Sequence, residues 1–537
     1  MNTYDTDVLV VGSGLAGLTA AISAKEQRPD FKVMLCSKSP PGLANCTAIS
    51  KGAFRNPSTD YSPEECARET LESGYYLNDQ KLLETLVNNS EKELDLFGSY
   101  GIKLEKRKRG RYVYRKSLSS EGTVISRALL EQVTAKGIKI VHPFFAWDLI
   151  KSNGQAAGVW GFFVNKPEPV ALFAGATVLA TGGAGAVYSR TDNPPGVTGD
   201  GYTLAYRAGL PLMDMEFVQF YPLGSAFPGS KARFLLPILA EAGRFINAEE
   251  EDIVKKYKID KHPLASNSRD ELSRAMALEV AENRGVDGAI KLEFDFSPDT
   301  WRRAQNTFGY TDVEPVKKWL KDYLGSRKYI PVMPVAHFCC GGIIIDKHCQ
   351  TDIQGLFAAG EVTGGLHGAD RLGGNALSEA LVFGKIAGKN AANFSVEQES
   401  KTNKSFNPTT LEKNIFHEAE KLLAGSSKYE KPNKQDFRKM KKHLAVEMMD
   451  DVGLIRSEAS LQQANQTITE ELNNLAWNKR KEHLRSFLEL NNLYQTANLI
   501  TRAAKVRRES RGTHYRTDYP ELSERWNKNI IVSRWLK

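Results

Sequence analysis

Gly12, Gly14 and Gly17, within Val8-Leu9-Val10-Val11-Gly12-Ser13-Gly14-Leu15-Ala16-Gly17-Leu18, have the spacing that cradles a pyrophosphate. Gly12 permits a tight turn, Gly14 lets backbone N–H groups approach phosphate oxygens, and Gly17 lets helix and strand pack closely. The four apolar residues before them predict a buried parallel strand, and Leu18 to Ala24 predicts a helix whose N-terminus faces the negative charge. Such a cradle holds a dinucleotide. Lys32 to Cys36 predicts a second strand, and at its end, where an NAD-type fold places an acid for the ribose, stand Ser37 and Lys38. Gly42 to Phe54, a run of small residues without regular period, suits a backbone laid against a flat ligand.

The elements that must position these residues come from a chain of 537 residues, long enough to bury a large core. The net charge of +8 is spread over 72 basic and 64 acidic residues. One dense basic run, Lys103 to Arg115, reads as a solvated loop rather than a polyanion site, and no nucleic-acid partner is expected. The six cysteines form no C-x-x-C pair, so no iron–sulfur cluster or haem carried by the chain itself is expected, and a reducing compartment is. No signal peptide precedes the first strand and no window of about 18 apolar residues exists, which predicts a cytoplasmic protein without a membrane span.

Helical periods cover Ser62 to Leu77 and Asp79 to Phe97, and Ile138 to Ile150 alternates as sheet. Gly158 to Val164 with Val170 to Phe173 predicts a small antiparallel excursion, followed by a buried strand from Ala176 that ends at Gly182-Gly183. From Gly224 to Ile330 helices and irregular segments are expected, with Ser268 and Glu271 as a capping box that puts Arg269 at the first helical position. Leu356 to Ala359 predicts a strand ending in Gly360-Glu361, and a helix follows Asn375. Glu397 to Pro408 is polar and reads as a linker. Leu461, Ala464, Ile468, Leu472 and Leu475 repeat at three and four, Leu484 to Ala504 continues the period, and a helical bundle results.

Together these residues resemble the flavoprotein subunit family of fumarate reductases and succinate dehydrogenases, which also includes L-aspartate oxidase. The resemblance is carried by the opening glycines, Ser37-Lys38, the small-residue loop, Ala180-Thr181-Gly182-Gly183 and Thr198-Gly199-Asp200-Gly201. It continues in Ala336-His337-Phe338-Cys339-Cys340-Gly341-Gly342-Ile343, in His367 to Leu377, and in Arg507-Arg508-Glu509-Ser510-Arg511-Gly512-Thr513-His514, so that it spans the first strand to about Tyr519. It implies an α/β fold: an FAD-binding Rossmann-like domain (1–223 and 331–396) with an inserted capping domain (224–330), then a C-terminal helical domain (405–537). It implies FAD as cofactor, held at the phosphate end by Gly12, Gly14, Ala16, Gly17, Ser37 and Lys38. Along the flavin it implies Cys46, Thr47, Gly52 and Ala53, with Ala180, Thr181, Gly182 and Asp200 nearby. The second glycine-rich segment would add Phe338, Gly360, Glu361, whose acid can accept from a ribityl hydroxyl, and Arg371. Asn375, Ala376 and Leu377 would turn a helix N-terminus toward the flavin N1 and O2 end.

The catalytic residues implied are Arg269, which delivers a proton to the substrate carbon, and His337 with Arg371, which grip a carboxylate while a hydride passes between flavin N5 and the neighbouring carbon. Cys46 stands where membrane-bound members carry the histidine that holds FAD covalently, which leaves both a cysteinyl link and a free thiol open. The resemblance also implies a small carboxylate substrate together with an iron–sulfur electron-transfer subunit, and leaves homo-oligomer formation open.

Departures from the family pattern bear on the substrate. Tyr221 takes the place of the histidine for a second carboxylate, and Leu235 that of its threonine. Leu236 and Leu239 replace a Glu and an Arg that relay protons. An unpaired carboxylate against such a lining is costly, so a substrate with one carboxylate and an apolar remainder is expected. The alternatives are an L-aspartate-oxidase-like enzyme and a flavin-bearing electron-transfer subunit without a substrate of its own.

Overall fold

The computed structural model describes residues 2–107, 109–113, 121–401, 408–424, 436–477 and 479–534. The strand Asn2–Val11 lies at the heart of a seven-stranded sheet, parallel to Val33–Cys36 on one side and to Pro169–Leu179 on the other. Its apolar run explains this position: Val8, Leu9, Val10 and Val11 are buried and pair with Val33 to Cys36 and with Ala176 to Leu179. Lys139–Val141 extends one edge, and Leu356–Ala358 joins Pro169–Leu179 in parallel.

Gln155–Phe163 and Phe144–Ser152 complete this sheet as antiparallel strands. The expected antiparallel pairing of Gly158 to Val164 with Val170 to Phe173 is present, from Gly158 opposite Phe173 to Gly161 opposite Val170, and belongs to the main sheet. Pro169–Leu179 runs unbroken because it pairs with Asn2–Val11 along the whole length, from Asn2 opposite Val170 to Val11 opposite Leu179.

The helix Leu15–Gln27 packs against the long helix Asn375–Lys401 and brings the two glycine-rich segments together. A Cβ on Gly384 or Gly388 would overlap the backbone of Ala16 or Ala20, which is why these helices approach so closely. The second helix continues through Val396 to Lys401, where a linker was expected. Glu, Gln and Lys are good helix formers, and a polar segment need not be a loop. Residues 402–407 of that stretch, like Lys108, Tyr114 and Arg115 of the basic run, lie outside the described residues.

Between Gly224 and Ile330 the chain has its own apolar core around Leu239, Leu272, Met276 and Trp301. It also contains strands that the sequence reading did not anticipate: Gly243–Ile246 and Ile290–Phe294 pair with each other, and Ile290–Phe294 pairs with Tyr329–Cys339, which in turn pairs with Val218–Ser225. Each of the first two is only four or five residues long, too short for an alternating period to stand out.

The expected capping box at Ser268 does not form. Ser268 follows directly on the short helix Leu264–Asn267, and its Oγ donates to Lys261 O at 2.9 Å instead of capping Arg269–Ala281. The C-terminal helices Phe437–Asp451, Glu458–Asn474 and Leu484–Val506 pack on one another, and the terminal strand Ile531–Val532 pairs with Leu212–Met213. Arg507, wholly buried, donates to Glu216 Oε1 at 2.6 Å and fastens this region to the body.

Candidate active site

One cavity of about 370 Å³ runs from the glycine turn at Gly12 to the arginines at positions 269 and 371. At its phosphate end the chain presents backbone. Gly12 has a φ of +115°, and a Cβ there would overlap the Ala180 carbonyl oxygen. A Cβ on Gly17 would overlap Gly12 O, so Gly17 packs behind the cavity rather than lining it. The helix Leu15–Gln27 opens with no side-chain cap from Gly14 and no acid in its first turn, an arrangement suited to an anion. Thr47 Oγ1 accepts from Leu15 N at 3.0 Å and so fixes the small-residue loop to this helix end.

Ser13 and Ser37 hydroxyls lie 2.9 Å apart. Lys38 lines the cavity, yet its Nζ pairs with Asp200 at 2.7 Å and Glu489 at 3.2 Å, so protein carboxylates already balance its charge. Although burial opposes it, Lys38 together with the Asn492 and Thr198 hydrogen bonds holds Asp200 below the usual carboxylate range.

Farther along, Cys46, Ala53, Ala180, Thr181 and Gly182 line the cavity, and Thr181 Oγ1 is a buried hydroxyl with no hydrogen-bond partner, as fits a polar ligand beside it. Gly52, at φ +59°, sits behind Ala53. The Cys46 thiol is 3.5 Å from Asn193 Oδ1; burial, then neighbouring Glu361 and Asp192, pushes it well above its ordinary pKa. Glu361 accepts from Cys339 N at 3.0 Å and is pushed up to about 7 by burial. Phe338, Gly360, Ala376 and Leu377 line the same space, whereas Asn375 points its Nδ2 at Thr70 Oγ1, 3.1 Å away. The helix that begins at Asn375 also lacks an acid in its first turn. A long slot between two helix N-termini, with a buried hydroxyl at Thr181 unpartnered among the described residues, fits a flavin dinucleotide.

At the other end side chains take over. Arg269 and Arg371, both almost wholly buried, converge on one oxygen: Gln219 Oε1 accepts from Arg269 Nη1 at 2.7 Å and from Arg371 Nη2 at 2.8 Å. The Gln219 amide is oriented in turn by donating to Asp370 Oδ1 and to Arg371 O at 2.7 Å. Arg269 also donates from Nε and Nη2 to Ala265 O. Burial lowers both guanidinium pKa values, and the neighbouring Arg269 helps to bring Arg371 down to about 10. Arg371 Nε is buried without a partner among the described residues, so a donor is left for a ligand.

His337 Nδ1 lies 2.7 Å from Asp192 Oδ2. A carboxylate only accepts, so Nδ1 carries the proton, and Nε2 of the neutral ring is an acceptor. Burial lowers the His337 pKa against the pull of Asp192, and the two arginines add to the shift.

The position of Tyr221 is decided by packing. Its ring stacks on Phe234 at 4.3 Å, and its buried hydroxyl donates to Leu235 O at 2.8 Å. Phe234 in turn stacks on His337 at 5.8 Å and lines the cavity with Leu236 and Pro237; Leu235 and Leu239 are buried behind. The residues that the sequence reading did not single out are Gln219 as a clamp, Asp192 behind His337, and Phe234. The signal for Asp192 was absent, since it lies 145 positions from its partner.

Among known proteins, the FAD binding domain family matches residues 7–377, and the fumarate reductase flavoprotein C-terminal family matches 441–536. An FAD-dependent oxidoreductase of Methanocaldococcus jannaschii, described as uncharacterised, is 34% identical over 98% of this chain and 96% of its own. The CoM/CoB fumarate reductase of Methanothermobacter marburgensis has a subunit that is 32% identical over 99% of this chain and 97% of its own. Among solved structures, the FrdA chain of E. coli quinol fumarate reductase superposes with a TM-score of 0.85 at 26% identity, covering 99% of this chain and 95% of that one. The chain belongs to the FAD-binding family of fumarate reductase and succinate dehydrogenase flavoproteins and is an FAD-dependent oxidoreductase acting on CH–CH bonds.

Proposed function

We propose that the chain interconverts a 2-enoate and its saturated acid, a substrate with one carboxylate at the reacting end and an apolar group where fumarate has its second carboxylate. The observation that carries this reading is the convergence of Arg269 and Arg371 on Gln219 Oε1, at 2.7 and 2.8 Å, in the cavity that also holds the glycine cradle. FAD, when bound, supplies or accepts the hydride. Arg371, whose Nε has no partner among the described residues, and His337, which takes up a proton as the substrate binds, hold the carboxylate and stabilise the charge that develops on it. Arg269, its pKa lowered by burial, delivers or takes the proton at the adjacent carbon. Gln219 is a positioning residue that keeps two like charges at fixed geometry.

The apolar remainder is supported by Phe234, Leu236 and Pro237, and by the Tyr221 hydroxyl being occupied by Leu235 O. Residues 224–330, which carry Arg269, would act as the cap. Electrons would come from or go to a separate iron–sulfur protein, and the curated fumarate reductase relatives are themselves named as subunits. Steady-state assays with a reduced dye compare fumarate with crotonate and longer 2-enoates. Higher kcat/KM on the monocarboxylates is expected; efficient fumarate turnover rules out the apolar remainder. Hydrogen peroxide release on adding L-aspartate would instead place the chain with the aspartate oxidases.

A further inference from the structure

The basic run that the sequence offered as a solvated loop is a hairpin, Leu104–Arg107 paired with Gly110–Val113, and Arg107 is turned inward. Its side chain is only 9% exposed. The guanidinium packs on two aromatic rings, 4.3 Å from the Tyr112 centroid in the hairpin and 4.1 Å from that of Tyr310 in the capping segment, and the Tyr310 side chain also hydrogen-bonds to it. Its ion pair with Glu105, at 3.3 Å, uses Nη2, while Nε is buried and has no hydrogen-bond partner among the described residues.

Arg107 lines the same cavity as Arg269, His337 and Arg371. Tyr310, which packs on Arg107, lines the cavity as well. A guanidinium packed on rings keeps its edge for hydrogen bonding, and a buried edge donor without an acceptor is unfavourable unless a ligand completes it.

We propose that Arg107 binds a second, distal anionic group of the substrate, separated from the reacting carboxylate by an apolar stretch. The inference rests on the enoate reading above and extends it. The substrate class is then a 2-enoate longer than fumarate that carries a carboxylate or similar anion at its far end, with Phe234, Leu236 and Phe308 beside the intervening chain.

The test uses the full-length holoenzyme. Dissociation constants are measured from the perturbation of the flavin spectrum by 2-enedioates of graded chain length, each paired with the 2-enoate of the same length. For one length the enedioate should bind about tenfold more tightly than its partner, the scale of one charge-assisted hydrogen bond. In Arg107→Gln that ratio should fall to near one, and Arg107→Lys should keep part of it, with FAD content reporting that both variants fold. A ratio near one at every length overturns the inference, as does a preference that survives in Arg107→Gln. A purely structural Arg107 would weaken both members of each pair alike and leave the ratio intact, which also overturns it. If no member of either series perturbs the flavin, the enoate reading itself fails and takes the inference with it.

Discussion

The two ends of the cavity are built from different materials. The phosphate end is shaped by main chain at Gly12, Gly17 and Ala180, beside the parallel strands of a mixed sheet and its first helix. The substrate end is side chain: Gln219 comes from a strand, Arg269 from a helix, His337 from a second strand and Arg371 from the loop before a second helix. Backbone sites tolerate almost no substitution but say little about specificity, whereas side-chain sites can be retuned one residue at a time. The replaced second grip, with Tyr221 turned onto Leu235 O, is an instance of such retuning.

The comparison breaks if the glycine turn tolerates a side chain. Gly12→Ala places a methyl on the Ala180 carbonyl oxygen at a φ of +115°, and purified protein should carry no FAD. Full flavin occupancy in this variant would mean that the main chain does not define that end. A smaller loss is expected at the clamp. Gln219→Leu removes the shared acceptor and should lower kcat by about tenfold to a hundredfold with FAD retained, because displaced groups lose near-attack geometry. A change confined to KM would show that Gln219 does not position the reacting groups.

The third prediction concerns pH. Free His337 has its pKa lowered below the ordinary 6.5, while a bound carboxylate favours the imidazolium, so binding takes up a proton. Enoate affinity should be constant below the free-enzyme value, weaken by up to about tenfold per pH unit above it, and level off beyond the pKa of the complex. A pH-independent Kd between about pH 5 and 9 would remove His337 from the grip. The smallest effect is expected at Cys46. Its thiol is held protonated by burial and by two nearby carboxylates, so FAD should be released by acid, and Cys46→Ala should leave occupancy unchanged. Flavin fluorescence that stays with the denatured chain would contradict this.

The contrast also governs what could be read from the amino-acid order. The turn from Gly12 to Gly17 is legible because its signal is local: three glycines at short fixed spacing, an apolar run before them and a helical period after, all within consecutive residues. Resemblance supplied Arg269, His337 and Arg371, and the cavity brings all three together. Their supports were not legible, because Gln219 meets Arg371 across 152 positions and Asp192 meets His337 across 145, and only the folded chain sets those distances. Ser268 misled because its i,i+3 acid matches a capping box, whereas the preceding helix Leu264–Asn267 leaves it a different backbone geometry. Arg107 misled because charge density alone suggests solvent, while it packs on two tyrosines, one of them about 200 positions away.

The most direct test of the account follows the reduced flavin after anaerobic mixing with the best-bound 2-enoate, in wild type and in Arg269→Gln. The account predicts equal FAD content and an oxidation rate at least about a hundredfold lower in the variant, the loss expected of a missing proton donor. Reoxidation at the wild-type rate would contradict it, since Arg269 would then neither supply the proton nor set the geometry of the reaction.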